Sequence, residues 1–175
     1  WDANHGKKYS LRSPALFPRA AFLDPELTHD LPRDITITTG LDALSQALES
    51  IWNVNANPVT SSFAIQACQL ALTTLPKLSA GPLTVIDREN LMLAALLAGL
   101  AISHTHTALA HSMSYPLTAH YQLPHGLACS FTLPAILAFN ATVDDGRLAR
   151  LAEATGSGSI TGLQQHLVEL LGAVD

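Results

Sequence analysis

The chain has 175 residues, 48% of them hydrophobic and 13% charged, and a net charge of −5. That is the size of one ordinary domain, apolar enough to bury a core, too poorly charged to stay disordered, and left with apolar surface for a partner domain or subunit. The nine Lys and Arg are scattered without a basic stripe, which excludes nucleic acid as a partner, and the longest apolar run, residues 91–102, falls short of the about 20 residues that cross a bilayer.

Residues 7–11 and 19–23 read as two short strands around a turn carrying Ser13, Pro14 and Pro18. Two strands alone are marginal in water, so they are expected to be the edge of a larger sheet. From Pro32 the pattern turns helical. Residues 34–52 place Ile37, Leu41, Leu44, Leu48 and Ile51 at spacings of three and four. Asn53, Asn55, Asn57 and Pro58 stop that helix, and a second over 63–75 ends at Pro76. Gly81 and Pro82 mark a loop, after which Asp87 is placed to cap a helix through 91–102. A further helix runs from Thr107 towards Ala119, strained at Pro116, and another starts near Gly126 and meets Pro134. Residues 144–154 and 160–171 read as amphipathic helices separated by Thr-Gly-Ser-Gly-Ser, 155–159. There is no internal repeat. The expectation is a mainly α domain with a short β remnant at its N-terminus.

No secretory signal is evident at Trp1, and Cys68 and Cys129 lack CxxC spacing. A cytoplasmic protein with two buried, reduced thiols is expected.

Eight histidines stand in this weakly charged chain. His5, His29 and His166 lie in polar or amphipathic surroundings and read as solvated; the other five fall between His104 and His125. His111 stands inside a helical run, and His125 stands between Pro124 and Gly126 at a helix start. A metal site needs neutral imidazoles brought from different elements so that their lone pairs converge. The same spacing also suits a hydrogen-bonded, partly buried pair. Asp42 and Gln46, four apart, share one helix face. A carboxylate buried there must be paired or bind metal, whereas an exposed one is a cap or a surface charge.

Three ordered motifs carry a resemblance that covers nearly all of the chain. Gly40-Leu-Asp-Ala-Leu-Ser-Gln-Ala-Leu-Glu49, then His111-Ser-Met-Ser-Tyr-Pro-Leu, then Leu123-Pro-His-Gly126 resemble the iron-containing (group III) alcohol dehydrogenase family. The family pattern is a Gly-x-Asp-Ala-Leu-x-His-Ala-x-Glu helix, a His-x-x-x-His-Pro-Leu helix and a Pro-His-Gly turn. The resemblance implies the helical metal-binding domain of the dehydroquinate synthase-like fold over 32–175. Residues 1–31 would be the last part of a Rossmann-like nucleotide-binding domain, and Lys8 would contact the cofactor.

Carried over position by position, the resemblance makes Asp42, His111 and His125 ligands of Fe(II) or Zn(II). The family's fourth ligand, a histidine, is matched by Gln46, whose amide oxygen is a poorer donor than imidazole. Three protein ligands, as in the related glycerol dehydrogenases, would leave the open position that a catalytic zinc requires. Tyr115 takes the place of a second family histidine near the nicotinamide and is expected to donate a hydrogen bond or relay a proton. His125 is expected to serve catalysis as well as ligation. The activity implied is a metal-dependent, NAD(P)H-linked interconversion of aldehyde and alcohol. The segments around Ser103-His-Thr-His-Thr-Ala and Ser114-Tyr-Pro-Leu-Thr-Ala-His-Tyr resemble one branch, the phosphonoacetaldehyde reductases (2-hydroxyethylphosphonate dehydrogenases). In that branch His104, Thr105 and His106 would hold the phosphonate, unless they are only polar residues at a helix bend. No Gly-Gly-Gly-Ser phosphate loop occurs in the chain, so its partners are expected to be a small aldehyde or alcohol, a nucleotide-binding domain and further copies of itself, and the isolated chain is expected to be inactive. The competing reading is a catalytically silent helical domain kept for oligomerisation.

Overall fold

The computed structural model describes residues 13–174, and among these residues there is no strand. Helix α1 (Arg33–Ile51) is the central element. Ile37, Leu41, Leu44, Leu48 and Ile51 are buried as their spacing requires, but so are Ala43, Ser45 and Ala47 on its other sides. A helix covered nearly all round must be enclosed by others. Helices α2 (Pro58–Thr74) and α3 (Val85–Thr105) pack against it and against each other. Their buried faces are rich in alanine, Ala64, Ala67 and Ala71 on α2 and Ala94, Ala98 and Ala101 on α3, which lets the axes approach closely.

Both helices start at a reciprocal cap. Asn57 accepts from the N–H groups of Val59 and Thr60, and the Thr60 hydroxyl accepts from the Asn57 N–H. The polar run 53–58 therefore ends α1 and also begins α2, five residues earlier than the sequence pattern indicated; Pro58 loses nothing there, because a first-turn N–H has no intrahelical partner. At α3 the N-cap is Thr84, and Asp87 is the third residue of the helix, accepting from the Thr84 N–H and hydroxyl. Lys77 Nζ lies 2.6 Å from the same carboxylate. The Lys77 hydrogen bond, followed by the Thr84 hydroxyl, holds the Asp87 carboxyl down to about 2 against the opposing effect of burial.

Helix α4 (Leu109–Tyr121) carries Pro116 in its interior and ends where Gln122 turns left-handed at φ 56°. The helix expected from Gly126 to Pro134 is in fact two, α5 (His125–Ser130) and α6 (Leu133–Ala141), with Pro134 tolerated in the first turn of the second. Helices α7 (Arg147–Ala154) and α8 (Ile160–Val174) follow, α8 packing on α6.

Residues 19–23, expected as a strand, are an exposed irregular stretch leading to a 3-10 turn, Pro25–Thr28, which Asp24 caps. A strand needs a neighbour to complete its ladder, and the described residues provide none. The other expected strand, 7–11, lies outside the described residues. Among the described residues, no helix is long and apolar enough to cross a membrane.

One contact fixes the position of α5. A Cβ added at Gly126 would run into the Thr38 carbonyl oxygen, so the start of α5 rests directly on the backbone of α1. Asp42 lies one turn further along α1 from Thr38, and His125 is thereby brought beside it.

Candidate metal centre

Asp42 on α1, His111 on α4 and His125 at the start of α5 meet at one point. Nε2 of His111 lies 3.2 Å and Nε2 of His125 3.9 Å from the same oxygen, Oδ1 of Asp42. The two imidazoles stand edge to face, 5.4 Å between centroids. The His111 side chain is only 4% exposed, against 27% for Asp42 and 33% for His125. The cluster is thus closed on the His111 side and open past the other two.

Each group is oriented by a neighbour. Glu49, fully buried and two turns beyond Asp42, faces His111 Nδ1 at 2.7 Å. Its carboxylate also accepts from the backbone N–H groups of Ala108, Ala110 and His111 at the start of α4, where the helix dipole favours an anion. Nδ1–H of His111 is thereby committed to Glu49, and Nε2 faces Asp42. Ser114 donates its hydroxyl proton to the His111 carbonyl oxygen at 2.7 Å. Its oxygen is left to accept Nδ1–H of His125 at 3.3 Å, so the second imidazole also turns Nε2 towards Asp42. Gln46 donates from Nε2 to the other Asp42 oxygen, Oδ2, at 3.1 Å. That amide N–H is spent on steering the carboxylate.

Cys129, one turn after His125 on α5, completes the group: one ligand atom from each of Asp42, His111, His125 and Cys129 lies within 4.8 Å of all the others. Its Sγ is 3.7 Å from His125 Nε2. Burial by itself disfavours the charged form of His111, yet hydrogen bonds to Asp42, Cys129 and Glu49 outweigh it and push the imidazole up to about 11. Burial likewise pushes the Cys129 thiol up, and hydrogen bonds with His111, His125 and Ser114 more than reverse this, to about 7. These acceptors surround a point that calls for positive charge. A carboxylate, two imidazoles and a thiol are a donor set for a divalent transition metal, so the residues present fit such an ion.

Tyr115 is half-buried with its ring parallel to that of His125, 6.1 Å between centroids. The other residues singled out in the sequence are not brought to this point. Thr105 is buried and donates its hydroxyl to Ser50 Oγ at 3.0 Å, two turns beyond Asp42 on α1, roughly 12 Å along the axis. His104 is exposed and pairs locally with Ser103, while His106 ends α3 with φ 68°. The Thr105 hydroxyl also lies 3.1 Å from the Ala101 carbonyl oxygen, within the core. Lys8 lies outside the described residues.

Glu49 and Cys129 were not singled out as site residues from the sequence. Glu49 was visible as the seventh residue after Asp42, which returns to the same helix face. Cys129 was visible as the fourth residue after His125. By contrast Cys68, the bland buried thiol expected, is enclosed in α2, and desolvation alone pushes it far up.

Residues 36–171 match the Fe-containing alcohol dehydrogenase family, C-terminal part. The NAD-dependent methanol dehydrogenase of Bacillus methanolicus is 39% identical over 162 residues, 93% of this chain and 42% of that protein. The phosphonoacetaldehyde reductase of Streptomyces viridochromogenes is 35% identical over 172 residues, 98% of this chain and 43% of that protein. The crystal structure of sulfoacetaldehyde reductase from Bifidobacterium kashiwanohense, in complex with NAD+, superimposes with a TM-score of 0.92 at 34% identity, covering 98% of this chain and 46% of that one. The chain spans less than half the length of these relatives. With its helical fold and its ordered motifs matched over 36–171, the chain belongs to the Fe-containing alcohol dehydrogenase family, in which it corresponds to the C-terminal helical domain.

Proposed function

We propose that this chain is the metal- and substrate-binding part of an alcohol dehydrogenase that interconverts an aldehyde and a primary alcohol with NAD(P)H. The observation that carries the reading is the convergence of Asp42, His111 and His125, from three helices, on one half-open point. Iron or zinc held there supplies Lewis acidity towards the carbonyl oxygen, and NAD(P)H supplies the hydride. The side chains are already held for this: Asp42 by Gln46, His111 by Glu49 and His125 by Ser114. The aldehyde enters on the open side, past Asp42 and His125, and Tyr115 is the hydroxyl that donates a proton to the substrate oxygen or relays one.

Residues 1–31 are proposed as the end of a Rossmann-like nucleotide-binding domain, with Lys8 at the cofactor, and 32–175 as the helical domain. Closure between the two excludes water from the cleft. The substrate we propose is phosphonoacetaldehyde, reduced to 2-hydroxyethylphosphonate. Two of the relatives are named for an aldehyde carrying an oxyacid head, one a phosphonate and the other a sulfonate.

The test is metal content and NAD(P)H oxidation by the protein joined to a nucleotide-binding domain, with phosphonoacetaldehyde and unsubstituted aldehydes as substrates. Metal-dependent turnover is expected, lost in His111→Ala and His125→Ala, with the phosphonate preferred. The 175-residue chain assayed alone is expected to bind metal without turnover, because hydride transfer needs the nicotinamide fixed against the carbonyl carbon. If no metal is taken up, the silent helical domain is the better reading.

A further inference from the structure

We propose that Cys129 is a metal ligand in this chain, its thiolate standing in for the imidazole absent at position 46. This rests on the metal reading of Asp42, His111 and His125. The family resemblance assigns position 46 to a histidine, but here that position holds an amide turned to Asp42 Oδ2. From the other side of the cluster, α5 presents the Cys129 sulfur. It lies one turn after His125, which puts both on one helix face, with Sγ 3.7 Å from His125 Nε2.

Three of the six separations within the group are 3.2 Å (His111 Nε2 to Asp42 Oδ1), 3.9 Å (His125 Nε2 to Asp42 Oδ1) and 3.7 Å (Cys129 Sγ to His125 Nε2), and all six lie within 4.8 Å. Bonds of about 2.0–2.3 Å at tetrahedral angles place neighbouring ligand atoms roughly 3.3–3.7 Å apart, and an ion held by these four would take the substrate oxygen by expanding to five-coordinate. The side chains need shift by a few tenths of an ångström at these three edges and by up to about 1 Å at the longest one. Cys129 is wholly buried, so its sulfur faces the protein's own donors rather than solvent. On binding, the Sγ–H proton leaves to solvent and the sulfur lone pair forms the metal bond. A set of one carboxylate, two imidazoles and one thiolate is softer than one of carboxylate and three imidazoles. It shifts preference from iron towards zinc.

The test is titration of the metal-free 175-residue chain with Co(II) and Zn(II), which needs neither cofactor nor turnover. The Co(II) protein is expected to show a thiolate-to-cobalt charge-transfer absorption in the near ultraviolet. Cys129→Ser should remove that band and weaken Zn(II) binding by at least about tenfold, while Cys68→Ser changes neither. Adding Gln46→His to Cys129→Ser should restore the affinity without restoring the band. The wild-type spectrum reads the proposal even if Cys129→Ser fails to fold. Co(II) bound without a thiolate band overturns this inference and leaves the Asp42, His111 and His125 site standing. No Co(II) or Zn(II) binding at all overturns both.

Discussion

Glu49 Oε2 lies 2.7 Å from His111 Nδ1, and the same carboxylate gathers three backbone N–H groups at the start of α4. One buried anion thus fixes both a helix end and an imidazole. Glu49→Gln keeps the shape and removes the charge, and it should weaken Zn(II) binding about 10- to 100-fold, the usual cost of losing such a partner. Glu49→Ala leaves those donors buried and unpaired and should cost roughly 3–5 kcal/mol of stability. Metal titration checks the first and urea denaturation the second.

Gly126→Ala should be among the most damaging single-methyl additions in the chain. Its Cβ would sit inside the Thr38 carbonyl, and backbone cannot swing aside as a side chain does. The expected loss is about 3 kcal/mol or more, with metal binding lost as α5 lifts from α1. Denaturation and metal titration of the same sample would read both effects. A variant of wild-type stability would show that α5 does not rest on Thr38.

In the Cys129→Ser background, Gln46→His should tighten Zn(II) binding by about tenfold, since imidazole is a good donor at a position one turn from Asp42. Competition with a chromogenic chelator measures this. An unchanged affinity would mean that position 46 reaches only the Asp42 carboxylate.

Asp87→Asn tests the cap of α3 and has a defined pH signature. The folded-state carboxyl is held below its ordinary value, to about 2, by Lys77 first and then Thr84. Its contribution is therefore present above the ordinary carboxylate range, about 4, and lost as pH falls through about 2. Asp87→Asn should cost about 1–2 kcal/mol at neutral pH, because half of the Lys77 side chain remains in solvent and screens the pair. The difference between variant and wild type should shrink steadily below pH 4 in denaturation curves.

Long periodic segments were legible in the sequence because their spacing is the cause of their burial. Ile37, Leu41, Leu44, Leu48 and Ile51 line one face of α1 as their order requires. Asp42, His111 and His125 were named through ordered motifs, and the structure brings His125 to Asp42 through the Gly126 contact and His111 through Glu49, neither of which a local pattern announces. What escaped was non-local or reciprocal. The Asn57 cap made a polar run serve as the start of α2 as well as the stop of α1. The Ser50 hydroxyl holds Thr105 within the core. Cys129 gained its neighbours only through α4 and α1 packing on α5.

Arg88 is buried on α3, where Nη2 donates to the Leu31 carbonyl oxygen at 3.1 Å and Nη1 to the Thr36 hydroxyl at 2.7 Å. The chain is thus moored to α3 just before α1 begins. Any swing of the residues upstream must pivot before Leu31, or else break a charged hydrogen bond. The 3-10 turn 25–28 packs on α3 as well, so a load applied from upstream would be borne by α3 rather than by the helix that carries Asp42.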